Sequence, residues 1–70
     1  MSKYFIAEKL EEINEEYDFV SKSLGYAKEN FNYYVRNGNG IVINEAITSL
    51  AIEKLKLEIK RDFLSNFLES

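Results

Sequence analysis

A strict seven-residue repeat of apolar side chains runs through the first half of this chain. Successive members are separated alternately by four and three positions, and the alternation holds from residue 6 to residue 34. This is the spacing of a helix in a coiled coil or bundle, whereas a half-buried strand alternates at every second residue. The repeat therefore predicts one long helix from about residue 3 to residue 36. Its members are Ile6, Leu10, Ile13, Tyr17, Val20, Leu24, Ala27, Phe31 and Tyr34.

The segment YYVRNGNGIVIN, residues 33–44, allows two interpretations. β-Branched and aromatic residues on both sides of Asn-Gly-Asn-Gly fit a β-hairpin. The helical repeat, however, continues to Tyr34, which favours the end of a helix followed by a turn. Gly38 suits the left-handed position just after a helix, because glycine has no Cβ to clash there. We therefore predict a turn over residues 37–43 between two helices.

The second helix is expected from about residue 44 to residue 68. Asn44 is a suitable N-cap, and Glu45 would then interact favourably with the positive end of the helix dipole. Residues 41–43 fit either a short extended connector or an early helical turn. With this organisation, residues 1–70 form a single all-α domain, which is a long antiparallel helical hairpin.

The lengths of the two predicted helices also define a register between them. Folding back at the glycine turn would place Tyr17 beside Phe63 or Leu64. Residues 4–6 would then extend beyond the end of helix 2, unless helix 1 breaks near Gly25 and folds over. A glycine inside a helix costs about 1 kcal/mol relative to alanine but does not by itself end the helix. We therefore favour an unbroken helix 1 whose first residues pack on another chain.

The second helix is apolar on two faces. One face carries a seven-residue column, and a second patch lies roughly 150–200° away around the helix axis at about 100° per residue. A helix in a lone hairpin has one apolar partner, so a second apolar face predicts a second contact. The column consists of Ile43, Leu50, Leu57 and Leu64, and the patch of Ile52, Leu55, Ile59 and Phe63. Helix 1 adds a flanking column of Phe5, Phe19, Tyr26 and Tyr33.

These extra apolar faces predict that the hairpin self-associates into a four-helix bundle. A homodimer is favoured because symmetric dimers are the commonest oligomers, with a higher oligomer or a foreign protein target as the alternatives. The candidate interface residues are Phe5, Ile6, Phe19, Tyr26, Tyr33, Ile52, Leu55, Ile59 and Phe63. Charge favours the antiparallel hairpin weakly, because acidic Glu15 and Glu16 would approach basic Lys60 and Arg61.

Composition excludes several classes of function. The chain has no cysteine and no histidine, so disulfides, thiolate metal sites and the commonest general base are absent. We therefore expect no enzyme activity, no cofactor and no metal. The net charge of −3 argues against nucleic acid and anionic membranes as partners. No apolar run approaches the roughly 20 residues of a membrane span, which predicts a soluble, cytoplasmic protein.

The remaining hypothesis is a protein that acts by binding. We predict a small regulator, inhibitor or adaptor that binds another protein through an aromatic helix face. The alternative is an RNA- or nucleotide-binding bundle. Tyr33, Tyr34 and Arg36 near the turn would stack on bases and contact phosphate.

Overall fold

The computed structural model describes residues 2–69. It contains α1 (Lys3–Glu29), α2 (Phe31–Arg36) and α3 (Gly40–Glu69). The described residues include no β-strand, so the predicted all-α helical hairpin is confirmed and the β-hairpin alternative for residues 33–44 is wrong. The predicted single domain covers residues 1–70, and its two terminal residues lie outside the described part. None of the described helices is long and apolar enough to cross a membrane.

Helix α1 begins at a side-chain cap and continues past its glycine. The Ser2 hydroxyl accepts a hydrogen bond from the Tyr4 backbone N–H at 3.2 Å, which satisfies one of the unpaired donors of the first turn. Gly25 lies inside α1, so the break considered near this residue does not occur.

The break occurs at Asn30 instead, and it corrects the prediction of one helix over residues 3–36. The Asn30 side-chain amide donates a hydrogen bond to the Tyr26 carbonyl at 2.8 Å, and the Asn30 backbone N–H bonds to the same oxygen at 3.1 Å. An asparagine side chain that bonds to its own helix competes with the regular backbone pattern. The six residues of α2 then continue to Arg36.

The turn consists of residues 37–39, where the backbone forms a Schellman motif. Gly38 has a φ of 81°, which confirms its predicted left-handed position. The Asn39 N–H bonds to the Tyr34 carbonyl at 2.8 Å, and the Gly38 N–H bonds to the Val35 carbonyl at 3.1 Å. These two bonds satisfy carbonyls that the end of α2 would otherwise leave unpaired.

Helix α3 begins at Gly40, four residues before the predicted start, so residues 41–43 are helical. The Asn39 carbonyl accepts the Ile43 N–H at 3.0 Å, which closes the first helical turn directly after the Schellman motif. Asn44 is therefore not an N-cap, and its carbonyl accepts the Thr48 hydroxyl at 3.0 Å inside the helix. The helical phase also points Ile43 inward, where it is buried.

The shorter turn changes the register of the hairpin by about one heptad. The Tyr17 hydroxyl donates a hydrogen bond to the Glu58 carboxylate at 2.9 Å, so Tyr17 lies beside Glu58 and not beside Phe63 or Leu64. As a result, α3 extends along the start of α1. Ile6 is only 3% exposed and belongs to the core of the hairpin, which corrects its prediction as an interface residue.

The core of the hairpin is small. It consists of Ile6, Val20, Leu24, Ala27, Ile43 and Leu57, of which Leu57 is fully buried. The Cα atoms extend over 51 × 14 × 13 Å, so the hairpin is an elongated rod. A rod of this shape leaves most of each helix surface outside the seam, which is the contact between α1 and α3.

Candidate interaction surface

A polar cluster occupies the middle of the seam between α1 and α3. The Tyr17 ring lies between two cations, with the Lys54 ammonium 5.5 Å and the Arg61 guanidinium 5.0 Å from its centroid. Glu58 binds the Tyr17 hydroxyl, as described above. The residues of α3 that contact Tyr17 lie both before and after Leu57 in the sequence, so Tyr17 lies level with Leu57. The cluster fixes the register, because a shift of one helical turn would separate all three partners from the ring.

The predicted charge pairs between the helices do not form. Arg61 lies over the Tyr17 ring and pairs with its neighbour Asp62 at 3.7 Å, and not with Glu15 or Glu16. In the described residues, the other ion pairs join Lys9 to Glu12 at 3.3 Å and Lys22 to Asp18 at 2.9 Å, both within α1. The hairpin therefore leaves the acidic part of α1 and the basic part of α3 without mutual neutralisation.

Large apolar side chains remain exposed along the whole rod. Of the predicted interface residues, all except Ile6 are between 47% and 70% exposed. These eight are Phe5, Phe19, Tyr26, Tyr33, Ile52, Leu55, Ile59 and Phe63. Their accessibility is what a contact with another chain requires.

Helical geometry groups most of the exposed apolar residues into two surfaces. The lateral face contains residues that directly precede a seam residue in the sequence, such as Phe19 before Val20 and Phe63 before Leu64. An antiparallel helix pair is related by a two-fold axis perpendicular to the plane of the two helices. Equivalent positions of α1 and α3 therefore emerge on the same side of the hairpin. The lateral face comprises Phe5, Phe19, Tyr26, Tyr33, Val42, Phe63 and Phe67.

The second surface is the outer stripe of α3, formed by Ile52, Leu55 and Ile59 on the side away from α1. Val42 and Phe67, which belong to the lateral face, were not among the predicted interface residues. The sequence carried a signal for Val42, because it lies three seven-residue repeats before Phe63 in the same column. That signal depended on treating residues 41–43 as helical.

Three tyrosines meet at the turn end of the hairpin. The rings of Tyr33 and Tyr34 pack edge to face, with centroids 5.6 Å apart and an interplanar angle of 86°. The hydrogen bond between Tyr34 and Tyr26 and the electrostatic effect of Tyr26 raise the pKa of Tyr34 above its ordinary value of 10.0, with further contributions from desolvation and Tyr33. Tyr34 is half-buried, whereas Tyr33 and Arg36 are exposed. The structure thus brings the predicted nucleic-acid residues to one end, with Tyr34 already engaged by its neighbours.

The acidic residues of α1 lie along an exposed surface. In the part of the chain from residue 2 to residue 69, no three carboxylates gather as ligands for a metal ion. Glu12 is instead held by Lys9 within the same helix.

These features define the chain as an antiparallel helical hairpin with a narrow seam and two exposed apolar surfaces. Comparison with protein-family models, with curated proteins and with solved structures found no match to this chain.

Proposed function

We propose that this chain is a non-enzymatic cytoplasmic binding protein that self-associates into a four-helix bundle and acts by contacting another protein. Regulators, inhibitors and adaptors of this size act through helix faces with aromatic anchors. The proposal is carried by one observation, which is the amount of surface that the single hairpin exposes.

The single hairpin exposes more surface than a stable monomer of its mass. Its accessible area is 5420 Å² for a mass of 8.2 kDa. A compact monomer of this mass is expected to expose about 4,500 Å², so the excess is about 900 Å². A standard protein–protein interface buries about 800 Å² on each partner. The excess is therefore close to what one copy contributes to a dimer.

The chemistry of the exposed surface supports the same proposal. A lone core of this size rarely supplies more than about 3–5 kcal/mol, and the chain has no cysteine for a disulfide. Contiguous apolar surface on a soluble chain marks an interaction site, and aromatic residues dominate the binding energy of such sites. The exposed phenylalanines and tyrosines of α1 supply such anchors.

The proposal is tested by the solution mass over a concentration series, measured by light scattering together with far-UV circular dichroism. We expect a helical dimer of twice 8.2 kDa that dissociates on dilution. A fully helical monomer at every concentration up to the millimolar range would contradict self-association.

A nucleic-acid-binding role is the second candidate, and it is favoured by the tyrosine cluster near Arg36. Its test is a titration with a short single-stranded RNA at two salt concentrations. Binding through phosphate contacts weakens steeply as salt increases. Replacement of Tyr33 with alanine should then reduce the affinity, whereas replacement of Tyr4 at the opposite end should not. Absence of binding at low salt would eliminate this role.

A further inference from the structure

We propose that the second copy docks on the lateral face with both turns at the same end of the bundle, so that α1 of each copy lies against α3 of the other. This inference rests on the proposed self-association and names its surface and its orientation. The occupant is a second copy of this chain, and the argument comes from the distribution of charge and apolar residues along the lateral face.

Two-fold symmetry allows two ways to stack two hairpins by the same face. If the axis runs along the helices, both turns lie at one end, and α1 of one copy contacts α3 of the other. If the axis crosses the helices, the turns lie at opposite ends, and each helix contacts its own counterpart. The two arrangements bury the same face, so only the match of residues along that face distinguishes them.

The charged zones of the lateral face lie at the same height on the two helices. Tyr17 is level with Leu57, and the contacts of its ring fix this register. Glu16 directly precedes Tyr17, and Lys56 directly precedes Leu57, so both lie on the lateral face at that height. Lys60 follows one turn later on the same side. Lys56 and Lys60 are exposed, and neither takes part in an ion pair among residues 2–69.

In the same-end arrangement, residues at a given position along one rod face the residues at the same position along the other. Glu16 then lies between Lys56 and Lys60 of the second copy. In the opposite-end arrangement, an axis at mid-length places Glu16 opposite Ser23 of the second copy and Lys60 opposite Ser49. Lys56 then lies opposite Glu53, so only one of these three charges meets an opposite charge, whereas the same-end arrangement pairs all three. Complementary charge selects orientation more strongly than it adds affinity, and here it selects the same-end arrangement.

The apolar residues at the two ends of the lateral face are compatible with either arrangement, and the same-end arrangement pairs them as follows. Tyr33 near the turn lies opposite Val42 of the second copy. Phe5 at the far end lies opposite Phe67 of the second copy, which packs edge to face on Phe63 within its own chain. Both ends of the face therefore meet apolar side chains, and the charged zone meets its opposite in the middle. The arrangement also joins the tyrosine clusters of the two turns into one surface.

The orientation is tested by distances between labels on single cysteines, because the natural chain contains none. Asn39→Cys places a spin label in the exposed turn, and Lys3→Cys places one at the far end. The same-end arrangement predicts a separation of roughly 10–25 Å between two Asn39→Cys labels, because neighbouring helices lie about 8–10 Å apart. A mixture in which one copy carries each label should give a separation near the 51 Å length of the rod.

The outcomes separate this inference from the proposed function. A dimeric mass with the two distances reversed would overturn the same-end arrangement and leave self-association intact. A monomeric mass at every concentration would overturn both. A dimeric mass with the short distance between turns supports both.

The docking face is tested by a matched pair of substitutions on α3. Phe63 on the lateral face and Ile59 on the outer stripe are four residues apart and equally exposed, at 62% and 61%. Phe63→Lys should raise the dimer dissociation constant more than tenfold, whereas Ile59→Lys should change it less than about twofold. Equal effects, or a larger effect at Ile59, would overturn the lateral face as the interface. Retained helical signal in both variants shows that the comparison reports on docking.

Discussion

Leu57 and Ile59 are two residues apart on α3 and chemically alike, yet Leu57 is fully buried and Ile59 is 61% exposed. Leu57 lies in the seam level with Tyr17, where α1 surrounds it. Ile59 lies about 200° away around the helix at about 100° per residue, where this chain supplies no partner. The difference shows that hydrophobicity alone does not place a side chain in the core of a hairpin. A helix with two apolar faces fills one and leaves the other for another molecule.

The largest effect on stability is expected from truncation of the buried residue of this pair. Leu57→Ala should lower the free energy of unfolding by about 2–5 kcal/mol, because Leu57 is fully buried and its truncation leaves a cavity. A chain with a small core then loses most of its stability. Urea titration followed by circular dichroism, at a concentration where the chain is monomeric, measures the change. Ile59→Ala is the control, and a change there within about 0.5 kcal/mol is expected. Similar losses at both positions would contradict the assignment of the two faces.

Two glycines in different backbone conformations are expected to respond in opposite ways to substitution. Gly38→Ala should destabilise the hairpin by about 1 kcal/mol or more, because Gly38 has a φ of 81° and alanine is strained there. Gly25→Ala should stabilise it by up to about 1 kcal/mol, because Gly25 lies inside α1 with open space around the position of a Cβ. Thermal unfolding of the two variants measures both signs. Stabilisation by Gly38→Ala would contradict the Schellman turn.

The polar part of the seam is tested by the removal of one hydroxyl. Tyr17→Phe keeps the ring between Lys54 and Arg61 but deletes the hydrogen bond to Glu58. We expect a loss of about 0.5–1.5 kcal/mol in the free energy of unfolding, measured by urea titration. Tyr4→Phe, on the exposed start of α1, is the matched control and should have no measurable effect. A neutral Tyr17→Phe would show that the hydroxyl does not stabilise the register.

The smallest effect concerns pH at the turn end. The folded state raises the pKa of Tyr34 above 10.0, chiefly through the hydrogen bond with Tyr26. The folded state therefore holds the Tyr34 proton more tightly than the unfolded state. This contribution to stability is complete below pH 10 and disappears as the pH rises through the folded-state pKa. Unfolding temperatures measured from pH 9 to pH 11 should fall less steeply in Tyr34→Phe than in the natural chain. An identical slope would contradict the perturbed pKa.

The helical class and the hairpin followed from the sequence, because the seven-residue repeat is a local property of the chain. The repeat from Ile6 to Tyr34 and the column from Ile43 to Leu64 specify which side of each helix is apolar. Gly38 was also identified from a local property, because only a residue without Cβ adopts a positive φ without strain. The exposed second faces were also predicted, as shown by the exposure of Phe19 and Phe63.

Other features depended on contacts that the sequence pattern does not encode. A heptad repeat is satisfied equally by registers that differ by seven residues, so the pattern could not distinguish Tyr17 beside Leu57 from Tyr17 beside Leu64. Two structural features distinguish these registers. The Schellman turn lets α3 begin at Gly40, and the Tyr17 ring contacts the cations of Lys54 and Arg61. That choice buried Ile6 and set the heights at which the charges of the lateral face lie.

The sequence by itself thus determined the helices, the glycine of the turn and the existence of unpaired apolar faces. Each of these properties is specified by residues that are close together along the chain. Only the tertiary structure decided the register and the division of the exposed residues between the lateral face and the outer stripe. Those features depend on which residues of α1 and α3 meet across the seam, and a periodic pattern leaves that open to within one repeat.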